Sequence, residues 1–313
     1  MLSRRKFIAG AGFTTGALLS GSSLLAEMAA DAAAKKLTIL HTNDVHSRLE
    51  PFPMDGGKYQ GMGGVSARAS IIRQIRSECA QVLLLDAGDI FQGTPFFNIY
   101  RGEPEIRAMA AMGYDAVTMG NHDFDGGIEN FAIQTRDAGF PVLLCNYDFT
   151  GTPMEYGYRP YQIFRKGRLK VGVAGVGIEL YGLVPDTLYG NTKYLDPVEQ
   201  LNKVAAQLKR EEGCDMVICL SHLGLEYKEN PLRICDRILA QETEHVDLII
   251  GGHTHTFMDE PLVLKNKSGA GVIVHQVGWA GIQLGRLDFD FTPLSGKRNA
   301  AVQNIPVAKK SAE

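Results

Sequence analysis

"LIIGGHTHT", residues 248–256, sets two histidines one residue apart behind two glycines, at the end of an apolar run. A short run of Val, Ile and Leu closed by glycine reads as a buried strand. Taken alone, the stretch is either a metal grip or a strand entering a turn. The rest of the chain decides, because four other runs end in the same way. "LTIL" (37–40) delivers Asp44 and His46, and "VLLL" (82–85) delivers Asp86 and Asp89. "AVTM" (116–119) delivers Asn121 and His122, and "MVICL" (216–220) delivers His222.

Between these runs lie amphipathic segments, so the pattern is a layered α/β domain with buried sheets. Residues 196–210, "DPVEQLNKVAAQLKR", open with Asp196 as N-cap and Pro197 at the first helical position, with Val198, Leu201, Ala205 and Leu208 on one face. Residues 65–78 place Val65, Ala69, Ile72 and Ile75 on one face and Arg68, Arg73 and Arg76 elsewhere. In such folds ligands bind outside the carboxyl ends of the strands, which is where the five runs leave their Asp, Asn and His residues.

Carboxylate, imidazole and amide oxygen suit divalent transition metals such as Mn, Fe, Co, Ni or Zn, and the lack of thiolates argues against a structural zinc cage. The candidate ligands are Asp44, His46, Asp89, Asn121, His222, His253 and His255. One ion would use about four protein ligands and leave the others idle. Two ions, roughly 3.5 to 4 Å apart and bridged by a carboxylate, use all of them and leave room for a bridging hydroxide. Five of the eight histidines lie at these strand ends. His41 within a strand, His245 in a polar turn, His275 in "GVIVHQVG" and Asp86 read as structural.

The first 34 residues join a basic start to a Gly- and Ala-rich apolar segment and a run of small residues, the pattern of an export signal. "SRRKF" is a twin-arginine motif, with cleavage expected between Ala26 and Ala34 and export to a bacterial periplasm; an uncleaved anchor is the alternative. Removing Arg4, Arg5 and Lys6 from 32 basic residues, and Glu27 and Asp31 from 35 acidic ones, leaves 29 and 33. Nothing in this mild acidity suggests a nucleic-acid footprint, and no nucleic-acid binding is expected. Five cysteines with no metal-site spacing make no evident disulfide framework, and Cys145 and Cys219 read as small core residues. Residues 35–295 are expected as the catalytic domain and 296–313 as a polar tail.

"ILHTNDVHSRLEP", "LLLDAGDIFQGTP", "MGNHDFDGG", "SHLGLE" and "IIGGHTHT" closely resemble, in order, the motifs of the 5'-nucleotidase branch of calcineurin-like metallophosphoesterases. The resemblance spans about residues 37–290 and implies a four-layer αββα sandwich. It assigns Asp44, His46, Asp89 and His255 to one metal, and Asp89, Asn121, His222 and His253 to the other. His122 matches the histidine that follows the metal-bound asparagine, and Asp125 its orienting aspartate. Some members carry glutamine where His255 stands.

The resemblance implies an exported, two-metal phosphomonoesterase acting on nucleotides by attack of a metal-bridging hydroxide. A 2',3'-cyclic nucleotide phosphodiesterase or a UDP-sugar hydrolase is the enzymatic alternative, and a non-catalytic binding module the alternative of another class. Family members that act on nucleotides add a C-terminal domain that stacks the base and holds the phosphate. A separately encoded domain of that kind, docking near Phe91, Phe96 and the "GDIFQGTPF" loop, is therefore an expected partner.

Overall fold

The apolar runs form the parallel centres of two stacked sheets. The structure, a computed structural model, describes residues 35–291 and 299–308. The export signal expected over residues 1–34 lies outside them. Among the described residues no helix is long and apolar enough to cross a membrane.

The first sheet takes β1 (Lys36–Thr42), β2 (Val82–Asp86), β3 (Ala116–Val117), β4 (Val142–Leu143) and β6 (Tyr158–Arg159) in parallel. The antiparallel strands β14 (Gln283–Asp290) and β15 (Asn299–Pro306) extend it on the β1 side. In the second sheet β8 (Leu169–Val176), β10 (Met216–Ser221), β11 (Leu248–Gly251) and β13 (Gly271–His275) are parallel. The antiparallel β7 (Tyr161–Lys166) and β12 (Leu262–Lys265) form its edges, and β5 (Tyr147–Asp148) pairs separately with β9 (Lys193–Tyr194).

Because side chains alternate along a strand, each central strand feeds two cores. Leu37, Ile39, Leu83 and Leu85 meet Val171, Val173, Ile218, Leu220, Leu248 and Ile250 between the sheets. One residue over, Leu40, Leu84 and Val117 face helices α1 (Val65–Glu78), α3 (Glu103–Met112) and α4 (Ile128–Thr135), while α2 (Pro95–Tyr100) adds Phe97. Val217, Cys219 and Ile249 face α6 (Pro197–Ala206) and α7 (Asp236–Glu242), and a single short turn, α5 (Asp186–Tyr189), precedes α6. The order helix, sheet, sheet, helix is the αββα sandwich. Both faces of each sheet are covered, which is why the strands read as continuous apolar runs.

Some expectations change. The segment expected as a polar tail, 296–313, contains β15, paired with β14 from Asp290↔Asn299 to Gln283↔Pro306. Its polarity is that of an edge strand: Ala301 and Gln303 are exposed, while Val302 and Ile305 pack on the cores. Arg68, expected off the apolar face of α1, is buried; a Cβ on Gly281 would come within 2.2 Å of its guanidinium, so glycine makes the room. The helix expected over 196–210 keeps its cap, with Asp196 accepting from the Glu199 amide at 2.9 Å, but widens to a π-helical turn over Gln207–Glu211. All five cysteines are free, with Cys145 and Cys219 buried.

Candidate metal centre

Five expected ligands, Asp44, His46, Asp89, His253 and His255, have φ between 49° and 70°. Non-glycine residues avoid this left-handed region, so its concentration here marks strand ends that the surrounding structure bends sharply. The two loops of the first sheet run side by side: the amides of Asp44, His46 and Ser47 donate to the carbonyls of Gly88, Asp89 and Ile90 at 2.8–3.0 Å. The second sheet meets them where the His253 amide donates to both carboxylate oxygens of Asp44 at 3.0 Å.

Asp123, which sequence reasoning passed over, anchors the Asp89 loop. Its buried carboxylate accepts from the amides of Asp89, Ile90, Phe91 and Gly120 at 2.8–3.1 Å. Gly120 is obligatory for another reason: a Cβ there would lie 2.1 Å from Asp89 Oδ1 and 2.6 Å from the His222 ring. Asn43, also unforeseen, ties the Asp44 loop to the 277–278 turn by donating to the Gly278 carbonyl at 2.7 Å and accepting from the Val277 amide at 3.0 Å.

The structure brings the expected residues into two adjoining clusters. Ligand atoms of Asp44, His46 and His255 lie within 4.8 Å of one another, and so do those of Asp89, His222 and His253. Asn121 belongs with the second cluster, its side-chain oxygen 2.8 Å from His253 Nδ1.

The donor set fits divalent cations. His222 Nδ1 is 2.7 Å from the Ala87 carbonyl, which fixes the proton there and leaves Nε2 as a ligand atom. That nitrogen is buried, lies 3.0 Å from Asp89 Oδ2 and 3.9 Å from Asp44 Oδ1, and has no aligned hydrogen-bond partner among the described residues. His46 Nε2 faces His255 Nε2 at 3.0 Å, with Asp44 Oδ1 3.4 Å from the latter. Two imidazole lone pairs so close repel unless a proton or a cation sits between them. The Trp279 ring, unforeseen in sequence, stacks on His255 at 5.7 Å and 7° and limits its tilt.

Burial disfavours charge at both Asp89 and His222, but each opposes it in the other: His222 is pushed up to about 10 and Asp89 is held below the carboxylate range. The pair attracts positive charge, and a proton competes with a metal for it. Burial, then the His222 charge, lowers His253 to about 4, and burial lowers His46. His122 stands apart. Its Nδ1 is 2.9 Å from Asp125 Oδ2, its ring is 5.4 Å from that of His46, and the Asp125 hydrogen bond raises its pKa.

His41 and His275, read as structural, bridge the two sheets through a 2.8 Å Nε2–Nδ1 contact. Phe91, expected at a docking surface, is fully buried against Phe97 and Phe131; of the two phenylalanines only Phe96 reaches solvent.

The chain belongs to the calcineurin-like phosphoesterase family, whose model matches residues 37–257. It is similar to a snake venom 5'-nucleotidase of Gloydius brevicauda, 35% identical over 290 residues that cover 85% of this chain and 47% of the relative. The 5'-nucleotidase of Homo sapiens is 34% identical over 283 residues, covering 83% and 47%. Among solved structures, the 5'-nucleotidase precursor from Thermus thermophilus superposes with a TM-score of 0.76 at 31% identity, covering 87% of this chain and 55% of that one. The chain thus spans about half the length of the curated relatives it matches.

Proposed function

We propose that the protein is an exported, metal-dependent phosphomonoesterase that hydrolyses nucleotides. The observation that carries this reading is the pair of donor clusters meeting at Asp89 and Asp44, with the buried His222 Nε2 between them, 3.0 Å from the one and 3.9 Å from the other. Similarity to 5'-nucleotidases supports the substrate class.

Asp44, His46, Asp89 and His255 would hold one ion, and Asp89, Asn121, His222 and His253 the other, with Asp89 shared. Ions bound there supply positive charge against the phosphoryl oxygens and a water of lowered pKa. His122, held through Nδ1 by Asp125, presents Nε2 to the phosphoryl group or the leaving oxygen, as donor of a hydrogen bond or a proton. The extra length of the relatives supports a C-terminal domain as the part that adds affinity and base choice. Arg4 and Arg5 support the twin-arginine route.

The test is phosphate release from AMP, from a 2',3'-cyclic nucleotide and from a UDP-sugar, with and without added Mn. Metal-dependent release from AMP is expected. Turnover of only the diester or the UDP-sugar substitutes the alternative activity, and no turnover of any substrate by metal-loaded protein defeats the enzymatic reading. Replacing Arg4 and Arg5 by lysine should hold the precursor in the cytosol; undiminished periplasmic delivery would reject the route.

A further inference from the structure

His253 and His255, the two histidines assigned to different ions, both lie in the left-handed region, at φ 70° and 51°. Backbone of that kind persists only where its surroundings hold it. A single side chain closes on this stretch from both ends. Gln276 donates from Nε2 to the Gly252 carbonyl at 2.7 Å and accepts at Oε1 from the Thr256 amide at 2.8 Å. Its amide group therefore grips the residue before His253 and the residue after His255.

Gln276 is fully buried. It follows β13, whose last pair with β11 is Ile250↔His275, and that register sets it beside the two glycines that precede the histidines. A Cβ on Gly251 would lie 2.9 Å from Gln276 Nε2 and 2.1 Å from Asp236 Oδ2, so glycine leaves room for both side chains. Asp236 in turn holds the His222 loop: its carboxylate accepts from the Ser221 hydroxyl at 2.5 Å, and its backbone amide donates to the Gly224 carbonyl at 2.8 Å. Thr254 joins the two loops. Its hydroxyl donates to Gln276 Oε1 at 3.3 Å and accepts from the Leu225 amide at 3.0 Å.

Spanning a carbonyl and an amide takes a side chain that donates at one end and accepts at the other. An ionised glutamate has no donor, and a methionine of similar length has neither function. We propose that Gln276 is a positioning residue for the metal centre: touching no ion itself, it sets the separation and direction of His253 and His255, and so the affinity for both ions together. Partners that orient a metal-bound histidine commonly hold its free ring nitrogen; Gln276 acts instead on the main chain to either side of two ligands. The assignment rests on the two-metal reading of the site.

The test is titration of Mn into the chelator-treated full chain by calorimetry, with elemental analysis of the reloaded protein. Gln276→Met removes both hydrogen bonds at nearly constant volume. Both ions are expected to bind at least about 10-fold more weakly, the low end for loss of a residue that orients metal ligands, whereas His253→Ala and His255→Ala should each deplete a different one. Asn266→Ala is the control for a merely structural effect. Asn266 holds the turn before β13, at the amino end of that strand and away from the site, by accepting from the Ser268 and Ala270 amides at 3.0 and 2.9 Å. Its loss should lower the melting temperature and leave Mn affinity unchanged. Gln276→Asn, one methylene too short to reach both partners, should show the same two-ion loss and replaces the methionine variant if that one does not fold. Unchanged Mn affinity in a folded Gln276 variant, loss of one ion alone, or an equal loss in Asn266→Ala overturns the role. The unaltered chain separates the two ideas: if it binds two ions and the Gln276 variants match it, only the positioning role has failed; if it binds fewer than two, the two-metal reading has failed and the role with it.

Discussion

His122 and Asp125 are joined across one 3₁₀ turn by a 2.9 Å contact from Nδ1 to Oδ2, so Nε2 is the imidazole atom that the proposed reaction would use. The hydrogen bond raises the histidine's pKa and fixes its ring. His122→Ala should cut turnover of an alkyl phosphate by roughly 10²-fold, the scale of a lost acid or charge-stabilising donor, with metal content unchanged. Asp125→Asn should cost less, because the ring remains. Comparing the alkyl ester with 4-nitrophenyl phosphate, whose leaving group needs little protonation, tells the two roles of His122 apart. Equal damage to both excludes proton donation, and loss of a metal makes His122 a ligand.

Asp123 serves four amides that otherwise have no acceptor. A buried donor left unmet costs about 1–3 kcal/mol, so Asp123→Ala should lower stability by several times that of an ordinary surface substitution and loosen metal binding through Asp89. Asn at this position keeps one oxygen and should lose less on both counts. A melting temperature and metal content both unchanged in the alanine variant would refute the anchoring role.

The buried His41–His275 pair makes stability fall in acid. Burial, then the charge of His275, holds His41 well below its ordinary value; burial lowers His275 to about 4, partly offset by the nearby Met258 carbonyl, which favours a protonated ring. The unfolded chain titrates both near the ordinary 6.5, so below that pH it binds protons the folded state refuses. Stability contributed by the pair is complete above about pH 6.5 and declines toward pH 4, with a slope of about 1.4 kcal/mol per pH unit for each proton. Denaturant midpoints measured across that range should flatten when both residues are replaced by glutamine. An unaltered acid slope in that double variant would show that other groups set it.

The sequence carried the site better than its supports. Asp, Asn and His at strand ends are legible because ligand chemistry is restricted to few residue types and the strands announce themselves as apolar runs. Asp123 and Asn43 escaped because nothing in their own identity tells that a carboxylate will gather four amides or that an amide will join two sheets' loops. Trp279 escaped because it lies 24 residues beyond His255 and meets it only through the fold. Periodicity placed α1 correctly yet put Arg68 off its apolar face, since a buried guanidinium depends on space left by a distant glycine. β15 was read as tail because an edge strand needs little apolar surface. "AVTM" keeps only Ala116–Val117 as strand before bending into the site.

The central claim, a two-metal centre bridged by Asp89, is tested most directly by the metal content of the folded, purified chain, measured by elemental analysis. Close to two transition-metal ions per chain are expected, with Asp89→Asn lowering both and with His253→Ala and His255→Ala each depleting a different one. A single firmly bound ion in fully folded protein, or depletion of the same ion by both histidine variants, would contradict it.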